Sequence, residues 1–161
     1  MTPTVIRTAL PADAPALAAL HARARATYYP QGLPDEGGVD RTAMWERAVE
    51  RREGHVLCAV REGVIVGLAS FRTPEGEPRD TVTLFQFHVD PGHWRAGVGT
   101  ALHAACVEQW RADGVREAVL DVHRDNGRAQ AFYARHGWQP AEPGEGADSH
   151  QRMRLSPAAG E

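Results

Sequence analysis

The stretch HWRAGVGTAL, residues 93–102, decides how the rest of this chain is read. It follows the strand-like run LFQFHVDP (84–91) and leads straight into an apolar-periodic segment. A tight Gly97-Val98-Gly99 turn therefore stands between a strand and the mouth of a helix. At such a junction successive backbone N–H groups are left without intrahelical acceptors, and the helix dipole adds partial positive charge at the same point. A phosphate or pyrophosphate is the natural guest. The competing reading is that Gly97 and Gly99 merely let the helix lie close to the strand. Two nucleotide motifs are excluded: no third glycine completes a dinucleotide fingerprint, and a chain without lysine has no P-loop Gly-Lys-Ser/Thr.

Outward from this point the chain alternates strand and helix signals. TVIRTA (4–9) reads as a short opening strand, and LPADAPALAALHARARATY (10–28) as a helix started by Pro11 and Asp13, with Ala14, Leu17, Ala18 and His21 at helical spacing. YYPQGLPDEGG (28–38) is broken by Pro and Gly and reads as a surface loop. Asp40 caps a second helix through about Arg52, and residues 55–72 read as two strands joined at Arg61-Glu62-Gly63. TVTLFQFHV (81–89) is β-rich. The following helix is expected to present Val98, Ala101, Leu102, Ala105 and Gln109 on one face and to end at Gly114. EAVLDV (117–122) is another strand. Asp125 or Asn126 then caps a helix with Ala129, Phe132, Tyr133 and His136 on one face, stopped by Gly137. WQPA and HQRMRL close the chain as two strands around the acidic loop EPGEGAD, where Glu142, Glu145 and Asp148 offer a place to draw in a cationic amine. The expected fold is mixed α/β with one central, partly antiparallel sheet.

Composition bounds the function. At 161 residues the chain is of one-domain length, and 42% hydrophobic with 24% charged residues is ordinary for a globular protein. A net charge of −3 argues against a general nucleic-acid binder, and no apolar run reaches membrane-spanning length. MTPTVIRTALPAD lacks the basic and apolar regions of a signal peptide, which makes a cytoplasmic protein the expectation. Cys58 and Cys106 suit neither a disulfide framework nor a metal knuckle, and His88, His93 and His103 have no metal-ligand spacing, so buried thiols and no metal are expected.

One pairing says what the glycine turn holds. VDPGHWRAGVGTAL is followed, after a helix and a strand, by LDVHRDNGRAQAFYARHGW. Together they closely resemble the GNAT superfamily of acyl-CoA-dependent N-acetyltransferases. The glycine-rich string is similar to that family's Q/R-x-x-G-x-G/A phosphate motif. The later string is similar to V-x-x-x-N-x-x-A-x-x-F-Y-x-x-x-G-F, with Val122, Asn126, Ala129, Phe132, Tyr133, Gly137 and Trp138 at the matching places. The strand and helix order of the first 72 residues extends the likeness over nearly the whole chain.

The resemblance implies a single GNAT domain over residues 1–157 with a disordered tail at 158–161. Its sheet would be mixed and mostly antiparallel, of six or seven strands with about four helices. It implies an enzyme that transfers an acetyl group from acetyl-CoA to a primary amine of a small molecule or peptide, by direct attack in a ternary complex. Gly97, Val98, Gly99 and Thr100 would offer N–H groups to the pyrophosphate, flanked by Trp94, Arg95 and Ala96. Phe87, His88 and Val89 would line the pantetheine arm, the Val89 N–H polarising the thioester carbonyl. Asn126 would hold the pantetheine or diphosphate region, and Tyr133 would be both a cofactor contact and the general acid for the departing thiolate. Tyr28, Tyr29 and Trp45 fall where such enzymes build the acceptor side. A homodimer is compatible with the resemblance.

Two departures stand out. Trp94 occupies a place where the family commonly has Gln or Arg, which is tolerable if backbone amides hold the phosphate. The run 81–89 has no carboxylate to serve as base, leaving Asp80, Gln86 as a water positioner, and His88 as base or water positioner. The missing carboxylate keeps open a non-catalytic acyl-CoA-binding or sensing module, and a protein for some other phosphate ligand is a third reading.

Overall fold

In a computed structural model of the chain, residues 2–29, 40–142 and 149–157 are described. Seven strands form one mixed sheet, and four α-helices accompany it among the described residues. In chain order the elements are β1 (Val5–Thr8), α1 (Ala14–Ala26), α2 (Arg41–Glu50), β2 (His55–Arg61), β3 (Val64–Arg72), β4 (Thr81–Val89), α3 (Val98–Ala112), β5 (Glu117–His123), α4 (Gly127–Arg135), β6 (Gln139–Pro140) and β7 (His150–Leu155). The strand order is β1-β2-β3-β4-β5-β7-β6, with β4 and β5 parallel over Thr81–Thr83 and Glu117–Val119. The pairs β1–β2, β2–β3, β5–β7 and β6–β7 are antiparallel. This is the mixed, mostly antiparallel sheet that the sequence leads one to expect.

The chain forms two compact units, Met1–Phe71 with Gln86–Cys106, and Arg72–Phe85 with Val107–Glu161. In the first, α1 begins where expected: Pro11–Asp13 make a 3-10 turn, and Asp13 Oδ2 accepts from the Leu10 N–H at 2.7 Å. Ala14, Leu17, Ala18, Leu20 and His21 of α1 are buried, and the apolar residues among them cluster with Trp45, Val56, Cys58 and Leu68. Asp40 caps α2 through Oδ1, which accepts from the Ala43 N–H at 3.0 Å. The β2–β3 hairpin turns on Glu62 (φ 51°) and Gly63 (φ 79°), the paired left-handed residues that a two-residue hairpin demands.

The first turns of α3 rest on β3 through a glycine that the sequence does not single out. A Cβ at Gly67 would stand 3.2 Å from Ala59 Cβ, 3.3 Å from Val98 Cγ1 and 3.4 Å from Leu102 Cδ2. A close approach of helix and strand is thus supplied at Gly67, while nothing lies within 4 Å of where a Cβ at Gly97 would stand. The buried face of α3 is Val98, Leu102, His103, Cys106 and Trp110, which corrects the expected face: Ala105 and Gln109 are only half-buried. Larger side chains one residue further on take the interior, where each fully buried side chain of this size contributes about 1.5–3 kcal/mol.

In the second unit, Val82, Leu84, Ala118, Leu120, Val122, Tyr133, Trp138 and Met153 are buried. The rings of Trp110 and Trp138 meet edge to face at 6.0 Å. Gly114 (φ 73°) ends α3 as expected. Asn126 rather than Asp125 caps α4, its Oδ1 accepting from the Ala129 N–H at 3.1 Å. Of the four residues expected to share the inner face of α4, Tyr133 alone is buried, while Ala129, Phe132 and His136 are not. Both cysteines are free and buried. The expected tail 158–161, most of the loop 28–38 and residues 143–148 of the acidic loop lie outside the described residues.

Candidate active site

The loop between β4 and α3 is tied down at both flanks. Asp90 N–H donates to Val66 O at 2.8 Å, and its carboxylate accepts from Arg23 at 2.9 Å and from Gly92 N–H at 3.1 Å. At the far flank the Arg61 guanidinium donates to Ala96 O and Thr2 O, both at 3.1 Å, and to Thr4 Oγ1 at 2.8 Å. Between these anchors Arg95 (φ 65°) and Gly97 (φ 82°) both take left-handed backbone. For Arg95 that conformation costs about 1–2 kcal/mol, so the surrounding bonds must hold it there. The turn delivers the chain into α3 with Val98, Gly99 and Thr100 in its first turn, where N–H groups have no intrahelical acceptor. The side chain of Arg95 is exposed and has no ion pair or hydrogen bond among the described residues. The result is a helix N-terminus with backbone donors that lack intrahelical acceptors and an exposed cation beside it, chemistry that could hold a phosphate group.

Trp94 does more than border the loop. Its indole N–H donates to Val89 O at 3.2 Å, closing the end of β4. The aromatic residue therefore stands where it can fix the strand end with a directed bond that Gln or Arg would make differently.

Next to this strand end lies a set of imidazoles. Trp45 Nε1–H donates to His21 Nδ1 at 3.3 Å, which places the His21 proton on Nε2. The rings of His21 and His88 stack at 4.9 Å and 24°. His88 Nε2–H donates to Gln86 Oε1 at 2.8 Å, since an amide oxygen only accepts; Nδ1 of His88 keeps its lone pair with no hydrogen bond among the described residues. Part of the His88 side chain remains accessible. Even so, desolvation, followed by the positive fields of His21 and Arg25, pushes its pKa down to about 3. His88 is thus a neutral imidazole at physiological pH and a feeble proton acceptor. Trp45, buried in the core, is a support for His21 rather than a free acceptor-side residue. Tyr28 and Tyr29 sit together at the end of α1, ring centroids 5.0 Å apart, with the Arg25 guanidinium 5.3 Å from the Tyr29 ring. Phe87 meets His103 edge to face at 6.3 Å.

The depressed pKa of His88 has a measurable sign. Unfolded, the ring binds a proton near pH 6.5, whereas the folded ring binds one only near pH 3. Its contribution is complete above pH 6.5 and is lost as the pH falls toward 3. Between pH 7 and pH 5 the chain is expected to lose about 2 kcal/mol of stability from this group. Urea unfolding at the two pH values checks it, and His88→Gln should remove most of the difference.

The second unit carries the remaining predicted residues on α4. Asn126 uses Oδ1 for its cap, leaving Nδ2 without a partner among the described residues. Seven residues on, two helical turns or about 10 Å along the same face, comes Tyr133. Its ring is 6% exposed and is wedged between Phe132 (5.6 Å, 78°) and Trp138 (5.8 Å, 62°). Among the described residues no group of three His, Cys, Asp or Glu side chains is arranged to hold a metal ion, and no helix is long and apolar enough to cross a membrane.

A strand, a donor-rich turn and a helix N-terminus, followed by a strand and an Asn-capped helix bearing Tyr, define an acyl-CoA-type transferase fold. Comparison with known proteins agrees. The pattern of the acetyltransferase (GNAT) family matches residues 17–138, and the chain belongs to that family. Over 134 residues it is 31% identical to the mycothiol acetyltransferase of Sanguibacter keddieii, covering 80% of this chain but 41% of that protein. The chain therefore spans about two fifths of the length of that curated relative. Among solved structures it is similar to the PaiA N-acetyltransferase of Thermoplasma acidophilum in complex with coenzyme A, with a TM-score of 0.78 at 17% identity over 96% of this chain and 99% of the other. The ribosomal-protein-S18-alanine N-acetyltransferase of Escherichia coli gives 0.73 at 22% identity, over 96% and 94%. At these identities the two structures speak for the fold.

Proposed function

We propose that this protein transfers an acetyl group from acetyl-CoA to a primary amine of a small molecule or peptide, by direct attack within a ternary complex. The observation that carries the reading is the anchored left-handed turn at Arg95–Gly97, which presents the first N–H groups of α3 as a diphosphate cradle in a chain that belongs to an acetyltransferase family. Gly97, Val98, Gly99 and Thr100 bind the pyrophosphate through backbone donors, and Arg95 adds charge. Asn126 binds through its Nδ2. The amine nitrogen attacks the thioester carbonyl carbon, the C–S bond breaks, and the thiolate takes the Tyr133 phenolic proton; proximity and oriented donors supply most of the acceleration.

His88 enters as a positioning group rather than a proton store. A ring with a pKa of about 3 cannot hold the ammonium proton at neutral pH, but its free Nδ1 can accept a hydrogen bond from a water or from the neutral amine. The proton leaves through water.

Incubation of the protein with acetyl-CoA and a panel of primary amines, following free thiol, tests the reading. Thiol release dependent on amine supports it. Tight coenzyme A binding with no release from any amine would replace it with a non-catalytic acyl-CoA-binding module.

A further inference from the structure

Four side chains near the end of β4 form one linked row, and all of them belong to the first unit. Trp45 of α2 donates to His21 of α1, the His21 ring lies 4.9 Å from that of His88, and His88 donates to Gln86 at 2.8 Å. Gln86 and His88, two residues apart on β4, share one face of the strand. An indole N–H only donates, so His21 Nδ1 carries a lone pair and the His21 ring is neutral. The amide oxygen of Gln86 keeps the His88 proton on Nε2 and leaves Nδ1 as an acceptor with no hydrogen bond among the described residues. This end of the strand therefore offers an incoming nitrogen a lone pair and no negative charge.

Among the described residues, the carboxylates of the elements that carry this row are committed elsewhere or face solvent. Asp13, just before α1, is held by Arg7 at 2.7 and 3.1 Å, and Asp90, just after β4, by Arg23 at 2.9 Å. Asp40 caps α2, whose Glu46 and Glu50 are exposed. Burial first, and then the neighbouring His21 and Arg25, one helical turn apart on α1, keep the His88 ring from taking a proton. An alkylammonium brought here would exchange water for neutral rings and a nearby guanidinium, with nothing to balance its charge. A neutral amine would instead donate an N–H to His88 Nδ1.

We infer that the row of Trp45, His21, His88 and Gln86 admits the acceptor only as a neutral amine, so that the acceptor is a weakly basic primary amine of the peptide α-amino kind rather than an alkylamine of the lysine side-chain kind. This deepens the transfer reading and rests on it. At pH 7 roughly a tenth of an α-amino group is neutral, against fewer than about one in a thousand lysine-type amines. The neutral nitrogen bonds to the thioester carbon as the C–S bond breaks, and its surplus proton passes to water.

The test follows thiol release from acetyl-CoA with glycinamide, 3-aminopropanamide and 6-aminohexanamide, whose basicity rises as the amide recedes from the amine, and with any other amine of the panel that is acetylated. Between pH 6 and pH 10, kcat/KM for each should rise about tenfold per pH unit and level off at that amine's own pKa. A rise that levels off at one pH for every amine, or a plateau reached well below the amine's pKa, overturns the inference while leaving the transfer reading intact. Gln86→Glu sets a carboxylate on His88 Nε2; it should flatten the rise and increase kcat/KM for 6-aminohexanamide at pH 7 about tenfold. A variant profile that still follows the amine, or an equal loss on all three amides, assigns the selection to other residues and overturns the inference. If no amine is acetylated, the transfer reading falls. The inference is then judged by nitrogen nuclear magnetic resonance of His88, assigned by its loss in His88→Gln. A shift of the Nδ1 signal on adding glycinamide at pH 9 and none at pH 6 supports it, and the same response at both, or none at either, overturns it.

Discussion

Gly97→Val is expected to weaken coenzyme A binding about 100-fold, the largest effect of any single change in the loop. The reason is backbone conformation rather than crowding. Nothing lies within 4 Å of where a Cβ at Gly97 would stand, yet its φ is 82°. A β-branched residue resists that region by about 1–2 kcal/mol and would relieve the strain by turning the following N–H groups away from the phosphate. Loss of one charge-assisted hydrogen bond, at about 1.5 kcal/mol, accounts for the rest of the roughly 2.8 kcal/mol that a 100-fold change represents. Gly99→Val should act in the same direction, since a branched side chain in the first turn of α3 stands beside the donors. Trp94→Ala should weaken binding far less, because it removes the indole bond to Val89 O and leaves the left-handed turn in place. Calorimetric titration with coenzyme A separates the cases. Comparable losses in all three would show that the indole, and not the amide row, governs the site.

Tyr133→Phe is expected to reduce kcat about 100-fold or more with little change in KM, the scale of losing a general acid. The substitution is informative because the ring is already a structural part. Between Phe132 and Trp138 it stays put whether or not it carries a hydroxyl, so thermal stability should hold while turnover falls. A variant that keeps wild-type kcat would reduce Tyr133 to a core aromatic and move proton donation to solvent.

The fold is legible in the sequence wherever local chemistry acts alone. The hairpin at Glu62-Gly63, the Asp40 cap and the glycine stop at Gly114 depend on one or two residues whose backbone preferences point one way. The inner face of α3 escapes such reasoning because helical spacing cannot tell an alanine stripe from its neighbour one step round. The choice is made by which side chains fill the space, here His103, Cys106 and Trp110. Gly67 is hidden for a related reason: a glycine inside a strand-like run shows its purpose only when the helix that lies on it is known. At the site, the glycine turn and the Asn126–Tyr133 spacing are local and stand out as a pattern. The state of His88 does not. Sequence alone suggests an ordinary histidine near pH 6.5, whereas the burial that lowers it, and then the His21 ring stacked on it and held by Trp45, come from residues far away in the chain.

The two buried cysteines have a practical side. Cys58 and Cys106 are both inaccessible, and burial lifts the Cys106 thiol to about 12, so neither presents a reactive thiolate while the protein is folded. A reagent that counts thiols in a turnover assay therefore counts those of coenzyme A against a silent background. The same reagent, left with the protein alone, becomes a clock for the rare openings that expose the interior.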